Sequence, residues 1–192
     1  MNTPSESADP VLPPIIGIRG QRVRLLPVDP DLHTENYVRW FNDPEVTRYL
    51  TTFMPMSRLA ERAFLEQSAH ATDRIVWAIY DEHDRHIGGT GLNTLNWKGR
   101  SAVSGIVIGD KSAWGKGYGR EVMQVRTRWA FEDLGLHRIE STCFAENIGS
   151  ARCLAAAGYR QVGMFRQKEW RGGRWHDLIV WEILDEDYFG RT

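Results

Sequence analysis

Trp114-Gly115-Lys116-Gly117-Tyr118-Gly119 sets three glycines at alternate positions, directly ahead of a stretch with helical spacing. Alternating glycine lets the main chain come close to a ligand and turn several N–H groups toward it. A helix that follows adds its unpaired N-terminal donors and the positive end of its dipole. Ahead of the glycines, Ala102 to Ile108 reads as a strand. Strand, glycine turn and helix make a cradle for an anion, suited to a pyrophosphate. Glycines after a strand also serve simply to make a tight turn, so the cradle alone leaves both readings open. The spacing removes two ligand classes. The P-loop pattern needs Gly-Lys-Ser/Thr after four spacer residues, and the dinucleotide fingerprint needs a glycine three places after Gly117, where Arg120 stands.

Toward the C-terminus the helix is expected to run to about Leu134. Val122, Val125, Trp129 and Ala130 form its apolar stripe, and Gly135 stops it. Arg138 to Phe144 reads as a strand and Ile148 to Ala157 as a helix stopped by Gly158. Tyr159 to Lys168 and Trp175 to Leu184 read as strands joined by the hairpin turn Arg171-Gly172-Gly173-Arg174. Toward the N-terminus, Ile87 to Leu95 reads as a strand that turns at Asn96 to Arg100. Ile75 to Tyr80 is apolar on both faces, the pattern of a central strand. Ser57 to Ala69 reads as a helix capped by Ser57, with Leu59, Phe64 and Leu65 as its apolar positions. Leu32 to Phe41 reads as another, with Tyr37, Trp40 and Phe41 on one side and the turn signal Asn42-Asp43-Pro44 after it. Gln21 to Leu26 alternates as a strand, with Val23 and Leu25 on one face, ended by Pro27 and Pro30. The middle strands read as an antiparallel meander. The helix after the glycines is a crossover, so the strands flanking it run parallel. The expected fold class is α/β, a mixed sheet with helices on both faces.

Composition narrows the partners. A net charge of −1, with mixed signs along the chain, gives no broad footprint for nucleic acid or an anionic membrane. No apolar run approaches the ~20 residues of a membrane span, and no basic-then-apolar start marks a signal peptide. Two cysteines, Cys143 and Cys153, make no disulfide framework; a cytoplasmic protein with core thiols is the simpler reading. Residues 1–14, rich in Pro, Ser and acid, read as a disordered leader, which leaves 15–192 as a single domain. His83 and His86, three apart in the polar turn after Asp81, lack a third fixed ligand, so no metal is expected. Arg22 and Arg24 read as a solvated strand face. Trp40, Trp97, Trp170 and Trp175 lie in polar, turn-rich stretches and suit either a site or the interface of a homodimer.

From Ile106 to Gly158 the chain resembles the GNAT superfamily of N-acetyltransferases. In that family a strand leads into an Arg/Gln-x-x-Gly-x-Gly/Ala turn that binds the pyrophosphate of coenzyme A. Here Trp114 replaces the Arg or Gln, and Gly117 and Gly119 match the pattern's glycines. Asn147-Ile148-Gly149-Ser150, followed by Gly158-Tyr159, resembles the family's second signature. The opening Trp40-Phe41-Asn42-Asp43-Pro44-Glu45-Val46 and the closing Gly173-Arg174-Trp175-His176-Asp177 resemble the branch that contains ribosomal-protein N-terminal and amino-sugar acetyltransferases. The likeness covers about residues 20–185.

The resemblance implies acetyl-CoA as cosubstrate, no metal, and a primary amine as acceptor: a small molecule, an amino sugar or a protein N-terminus. It implies direct attack in a ternary complex. Main-chain groups of Val107, Ile108 and Gly109 would bond the pantetheine amides. Amides of Gly115, Lys116, Gly117, Tyr118, Gly119 and Arg120 would hold the pyrophosphate, and the Asn147 side chain would contact the pantetheine arm. Many relatives place a proton-donating tyrosine where this chain has Leu154. Ser150, one turn earlier on the same face, matches the acid proposed in the ribosomal-protein branch and is the catalytic candidate. Relatives often carry a glutamate on the strand before the cradle; Val103 and Ser104 stand there, and no base is assigned. His176 and Asp177 face the acceptor or form a satisfied strand pair. The alternative reading is a non-catalytic acyl-CoA-binding module on the same fold, favoured by Val103, Ser104 and Leu154. A nucleotide-binding protein would instead prefer ATP or NAD.

Overall fold

The computed structural model describes residues 17–190; the stretch 1–14 read as a leader lies outside them. A short strand β1 (Ile18–Arg19) pairs with β2 (Arg24–Pro27), which places Val23 and Leu25 in the core. Asp29 then caps α1 (Pro30–Phe41) by accepting the amides of Asp31 and Leu32. Pro30 is not only the end of the strand. It opens the helix two residues ahead of the expected start, where a missing N–H costs nothing.

After a 3₁₀ turn (Thr47–Tyr49), Ser57 caps α2 (Arg58–Ala69) by accepting the Ala60 amide. The expected stripe of α2 is corrected here. Leu59 is exposed, and the buried face is instead Glu61, Leu65 and Ser68 at helical spacing. The meander follows as β3 (Ile75–Tyr80), β4 (His86–Asn96) and β5 (Ser101–Ile108). A second 3₁₀ turn (Lys111–Ala113) and the glycine segment lead into α3 (Tyr118–Glu132). Then come β6 (Arg138–Phe144), α4 (Ile148–Ala156), the hairpin β7 (Arg160–Arg171) and β8 (Arg174–Leu184), and a short α5 (Asp185–Phe189). The hairpin closes on Gly172 and Gly173, both at positive φ, as a two-residue turn between right-twisted strands requires.

The eight strands form one sheet in the order β1-β2-β3-β4-β5-β6-β8-β7. All pairs are antiparallel except β5 with β6, the pair joined by the α3 crossover. Along β5 alternate side chains go to opposite faces. Ile106 and Ile108 join the larger core with Val122, Val125 and Ala130 of α3 and Leu154 of α4. Val107 joins a smaller one with Tyr37 and Trp40 of α1 and Leu65 of α2.

Several single residues are placed differently from the sequence reading. Trp40 is buried, not on a site or interface surface, and its ring lies against Gly109, where an added Cβ would come within 2.0 Å of it. Trp97, Trp170 and Trp175 are exposed. The turn after Asp81 is pinned, because the fully buried Asp81 accepts the amides of His83 and Arg85 and pairs with the Arg85 guanidinium. His86 leaves that turn and packs its ring among His33, Tyr37, Trp40 and Tyr80. Burial there pushes its imidazole down to about 3, so it stays neutral at physiological pH. No group of metal-ligating side chains is present among the described residues.

Gly109→Ala should destabilise the fold by about 1–3 kcal/mol, because its Cβ would stand 2.0 Å from the buried Trp40 ring and force it to shift. Urea unfolding of the variant against wild type measures this.

Candidate active site

The glycine segment is held from three sides. Gly109 and Asp110 both donate their amides to the Ile87 carbonyl, at 2.9 and 3.1 Å. Gly109 therefore offers a ligand its carbonyl rather than its amide. Lys111 bridges Asp43 and Glu45 at 2.8 and 2.6 Å, which ties the segment to the turn after α1. These hydrogen bonds raise the ammonium's affinity for its proton. The Trp114 indole donates to the Ile108 carbonyl at 2.7 Å and folds the loop back on the strand end.

Gly115 and Gly117 then adopt φ of 74° and 87°, values that L side chains avoid. Gly117 occupies the N-cap position of α3 without supplying a side chain. The amides of Tyr118, Gly119 and Arg120 have no carbonyl one turn behind them. A Cβ on Gly115 would meet no atom of the described residues within 4 Å, so among them the loop is open on its outer side.

Arg22, read from sequence as a solvated residue, is part of this loop. Its Nη1 donates to the Lys116 carbonyl at 3.1 Å, its Nε pairs with Glu121 at 3.3 Å, and its guanidinium covers the Tyr118 ring. Glu121 in turn accepts the Arg22 amide at 2.7 Å. Nothing in the local pattern around Arg22 signals this, because the partners lie about ninety-five residues away in sequence.

Beside the loop the sheet opens. β5 and β6 pair only from Ser101↔Arg138 to Val103↔Glu140. β5 continues on β4 to Ile108↔Gly88, and β6 continues on β8 to Phe144↔Leu178. From Ser104 and Ser141 onward the two strands therefore part. A Ser141 Oγ bond to the Ser104 carbonyl at 3.2 Å is the last link, and Ser104 Oγ itself is buried without a partner. Val107, Ile108 and Gly109 lie on one side of the opening. Asn147 and Ser150 follow the end of β6 on the other. Asn147 caps α4, its Oδ1 accepting the Ser150 amide at 3.1 Å. Ser150 is thus the capped residue and not the cap, and its side chain sits by the Cys143 thiol, which burial pushes up. Leu154 is fully buried in the larger core. Gly119 approaches Cys153 of α4, its ideal Cβ 3.9 Å from the sulfur, so the start of α3 and the body of α4 adjoin.

On the α1–α2 side of β5 lies a cleft of about 280 Å³. Tyr37 and Phe41 of α1, Phe64 and Leu65 of α2, and Gly105 to Val107 of β5 line it. Glu61 is the carboxylate in this lining, and Tyr37 the other titratable group, with the Tyr80 hydroxyl behind it. Burial pushes Glu61 from 4.5 up to about 7. Burial, with Glu61 and Tyr80 adding to it, also raises Tyr37. His176, by contrast, is satisfied: its ring meets Glu146 at 2.9 Å and the Arg171 carbonyl at 3.1 Å, while Asp177 accepts the Gln167 amide. His176 also lines a second cleft, with Thr47, Tyr49 and Arg171.

Comparison with known proteins agrees with this architecture. Residues 22–160 match the acetyltransferase (GNAT) domain family. The uncharacterised N-acetyltransferase p20 of Bacillus licheniformis is 29% identical over 156 residues, 79% of this chain and 87% of that protein. The spermidine N-acetyltransferase of Vibrio cholerae, solved with CoA and spermine, superposes with a TM-score of 0.83 at 20% identity, covering 88% of this chain and 99% of that one. A GNAT-family acetyltransferase of Bacillus anthracis gives 0.77 at 22% identity, covering 89% and 99%. This chain belongs to the GNAT acetyltransferases, enzymes that use acetyl-CoA and act on amines.

The Glu61 carboxyl carries a stability signature that needs no ligand. Below about pH 4.5 it is protonated in both folded and unfolded chains. Between 4.5 and about 7 only the folded form keeps the proton, so this group's contribution worsens as pH rises, and the full cost is in place above 7. Glu61→Gln should therefore raise Tm by a few degrees at pH 8 and change it little at pH 5, read by thermal unfolding at both values.

Proposed function

We propose that this chain transfers the acetyl group of acetyl-CoA to a primary amine by direct attack in a ternary complex, with residues 15–192 acting as one domain. The observation that carries the reading is the parting of β5 from β6 directly beside a glycine loop at a helix N-terminus. The opening suits an extended arm, and the loop suits the pyrophosphate at its end.

In this reading, main-chain groups of Val107, Ile108 and Gly109 bond the pantetheine amides. The Ile108 carbonyl already accepts from the Trp114 indole, the Gly109 amide donates to Ile87 and Val107 pairs with Gly89 of β4, which leaves the Gly109 carbonyl as the freer partner. Amides from Gly115 to Arg120 hold the pyrophosphate, with Lys116 and Arg120 adding charge. Asn147 meets the arm through its side-chain amide while its oxygen caps α4. The tetrahedral intermediate needs a donor for its oxyanion, and a main-chain N–H at the strand opening supplies one. The leaving thiolate, whose acid has a pKa of about 8.5, takes a proton from the Ser150 hydroxyl. Holding amine and thioester in line supplies much of the rest.

The acceptor is an amine. The spermidine acetyltransferase of similar fold supports a small-molecule amine over a protein N-terminus, and the amino-sugar and ribosomal-protein branch stays a proposal on its sequence signatures alone. Two free thiols fit a reducing, cytoplasmic setting. The exposed Phe165, Trp170 and Trp175 of the β7–β8 hairpin suit a homodimer interface. One observation favours a second reading, a CoA-binding module without chemistry: Leu154 fills the tyrosine position with buried hydrocarbon, and β5 carries no carboxylate at Val103 or Ser104.

Thiol release from acetyl-CoA across a panel of primary amines tests the reading; tight CoA binding with no turnover on any amine would favour the module. Ser150→Ala should lower kcat roughly 10- to 100-fold and leave CoA affinity within about twofold. Collapse of CoA binding with turnover per bound enzyme intact would make Ser150 a binding residue. Gly117→Ala should weaken CoA binding at least about tenfold, read by calorimetry, since the left-handed N-cap costs an L side chain roughly 1–2 kcal/mol and displaces the amides.

A further inference from the structure

The cleft beside β5 holds a carboxylate that no described residue neutralises. Glu61 is 1% exposed, and among the described residues its carboxylate makes no hydrogen bond and no ion pair. Cations are at hand on the same helix, yet Arg58 pairs with Glu35 and Arg62 with Asp31 and Glu66, all on the outer surface. The other titratable group lining the cleft, Tyr37, spends its hydroxyl on the Gly88 carbonyl at 3.5 Å. A buried, unpaired charge is costly, and a cation arriving from outside removes that cost.

We infer that Glu61 receives the acceptor: its carboxylate pairs with the ammonium of an incoming primary amine and takes the proton that the amine sheds before attack. The pairing rests on the cleft alone, while the proton step rests on the transferase reading above. Burial that pushes Glu61 up to about 7 also pulls a bound alkylammonium down from about 10.4, so the two positions of the proton draw together in energy. In the step itself an N–H bond of the ammonium breaks, its electron pair stays on nitrogen, and the proton moves to a Glu61 oxygen. The nitrogen then bonds to the thioester carbon and the C–S bond breaks. The thiolate gains a proton from Ser150, which is made good by the second amine proton. The proton on Glu61 returns to solvent as product leaves.

The lining also states the class of amine. Tyr37, Phe41, Phe64 and Leu65 present aromatic and aliphatic surface around one carboxylate. That favours a monoamine on an apolar or aromatic body. A polyamine would bring further charges into a lining that, among the described residues, has no second carboxylate to meet them.

Benzylamine is the probe, with benzyl alcohol as its uncharged counterpart and spermine as the polyamine. Calorimetry on the full chain at pH 8 should show benzylamine binding to wild type more tightly than spermine. Glu61→Gln should weaken benzylamine about tenfold or more, leave benzyl alcohol unchanged and leave CoA affinity unchanged. Glu61→Asp, which keeps the charge, should recover part of the loss. Equal benzylamine affinity in wild type and Glu61→Gln, no benzylamine binding in either, or tighter binding of spermine would overturn the inference. With acetyl-CoA present, kcat/KM for benzylamine should fall in Glu61→Gln by at least the factor lost in binding. If wild type binds benzylamine through Glu61 and acetylates no amine, the transferase reading fails and the pairing stands.

Discussion

Past Val103 and Glu140 the parallel ladder between β5 and β6 stops, and the buried main chain of β5 must find other partners. Ser141 supplies one across the opening, and Arg126 braces the same stretch of β5 from α3. Arg126 is fully buried, and its Nη1 reaches the Gly105 carbonyl at 2.8 Å and Thr90 Oγ1 at 2.6 Å. Thr90 bonds the same carbonyl from β4, and Ser141 takes the neighbouring carbonyl of Ser104. Consecutive carbonyls point to opposite sides of a strand, so it is the Ser104 carbonyl that faces the stopped ladder, and the Ser141 hydroxyl satisfies it. Without Ser141 the opening would leave that buried acceptor unpaired, at roughly 1–3 kcal/mol. The arrangement lets two adjacent strands separate inside a core without exposing either.

The glycine loop sits where that opening ends, and its shape is imposed by neighbours far off in sequence. Lys111 clamps it to the turn after α1, Trp114 folds it onto Ile108, and Arg22 holds its Lys116 carbonyl from the bend ahead of β2. Each contact is modest and partly solvated. Together they fix a segment whose glycines would otherwise be its most mobile part. The lost conformational freedom of Gly115 and Gly117 is offset by tertiary bonds rather than by local propensity.

The two faces of the sheet do different work. The α3–α4 face carries the larger, apolar core. The α1–α2 face carries a smaller one in which Tyr37 lies directly on Gly89, within 2.5 Å of where a Cβ would stand, and Trp40 lies on Gly109. Glycine on the sheet brings the aromatic rings of α1 down onto the backbone, and the cleft with Glu61 remains beside them. The face where rings lie closest to the sheet is also the one whose described residues leave a buried carboxylate unpaired.

Local pattern determined much of this protein. The two-residue hairpin at Gly172-Gly173, the cap at Ser57, the apolar run of β3 and the crossover that makes β5 and β6 parallel each follow from spacing and residue type over a few positions. The anion cradle was legible for the same reason, since alternate glycines ahead of a helix act through their own backbone. β1 and α5 were too short to leave a period. Trp40 and His86 were misplaced because polar neighbours in sequence say nothing of the strand that packs over them. Arg22 and Glu61 lay beyond reach for a deeper reason. A charged side chain has no period of its own, and its meaning depends on which distant groups surround it. In α2 the pattern favoured Leu59, yet docking against α1 and β3 turned Glu61 inward. Only the packing of the whole chain decides whether such a carboxylate faces water or a cleft.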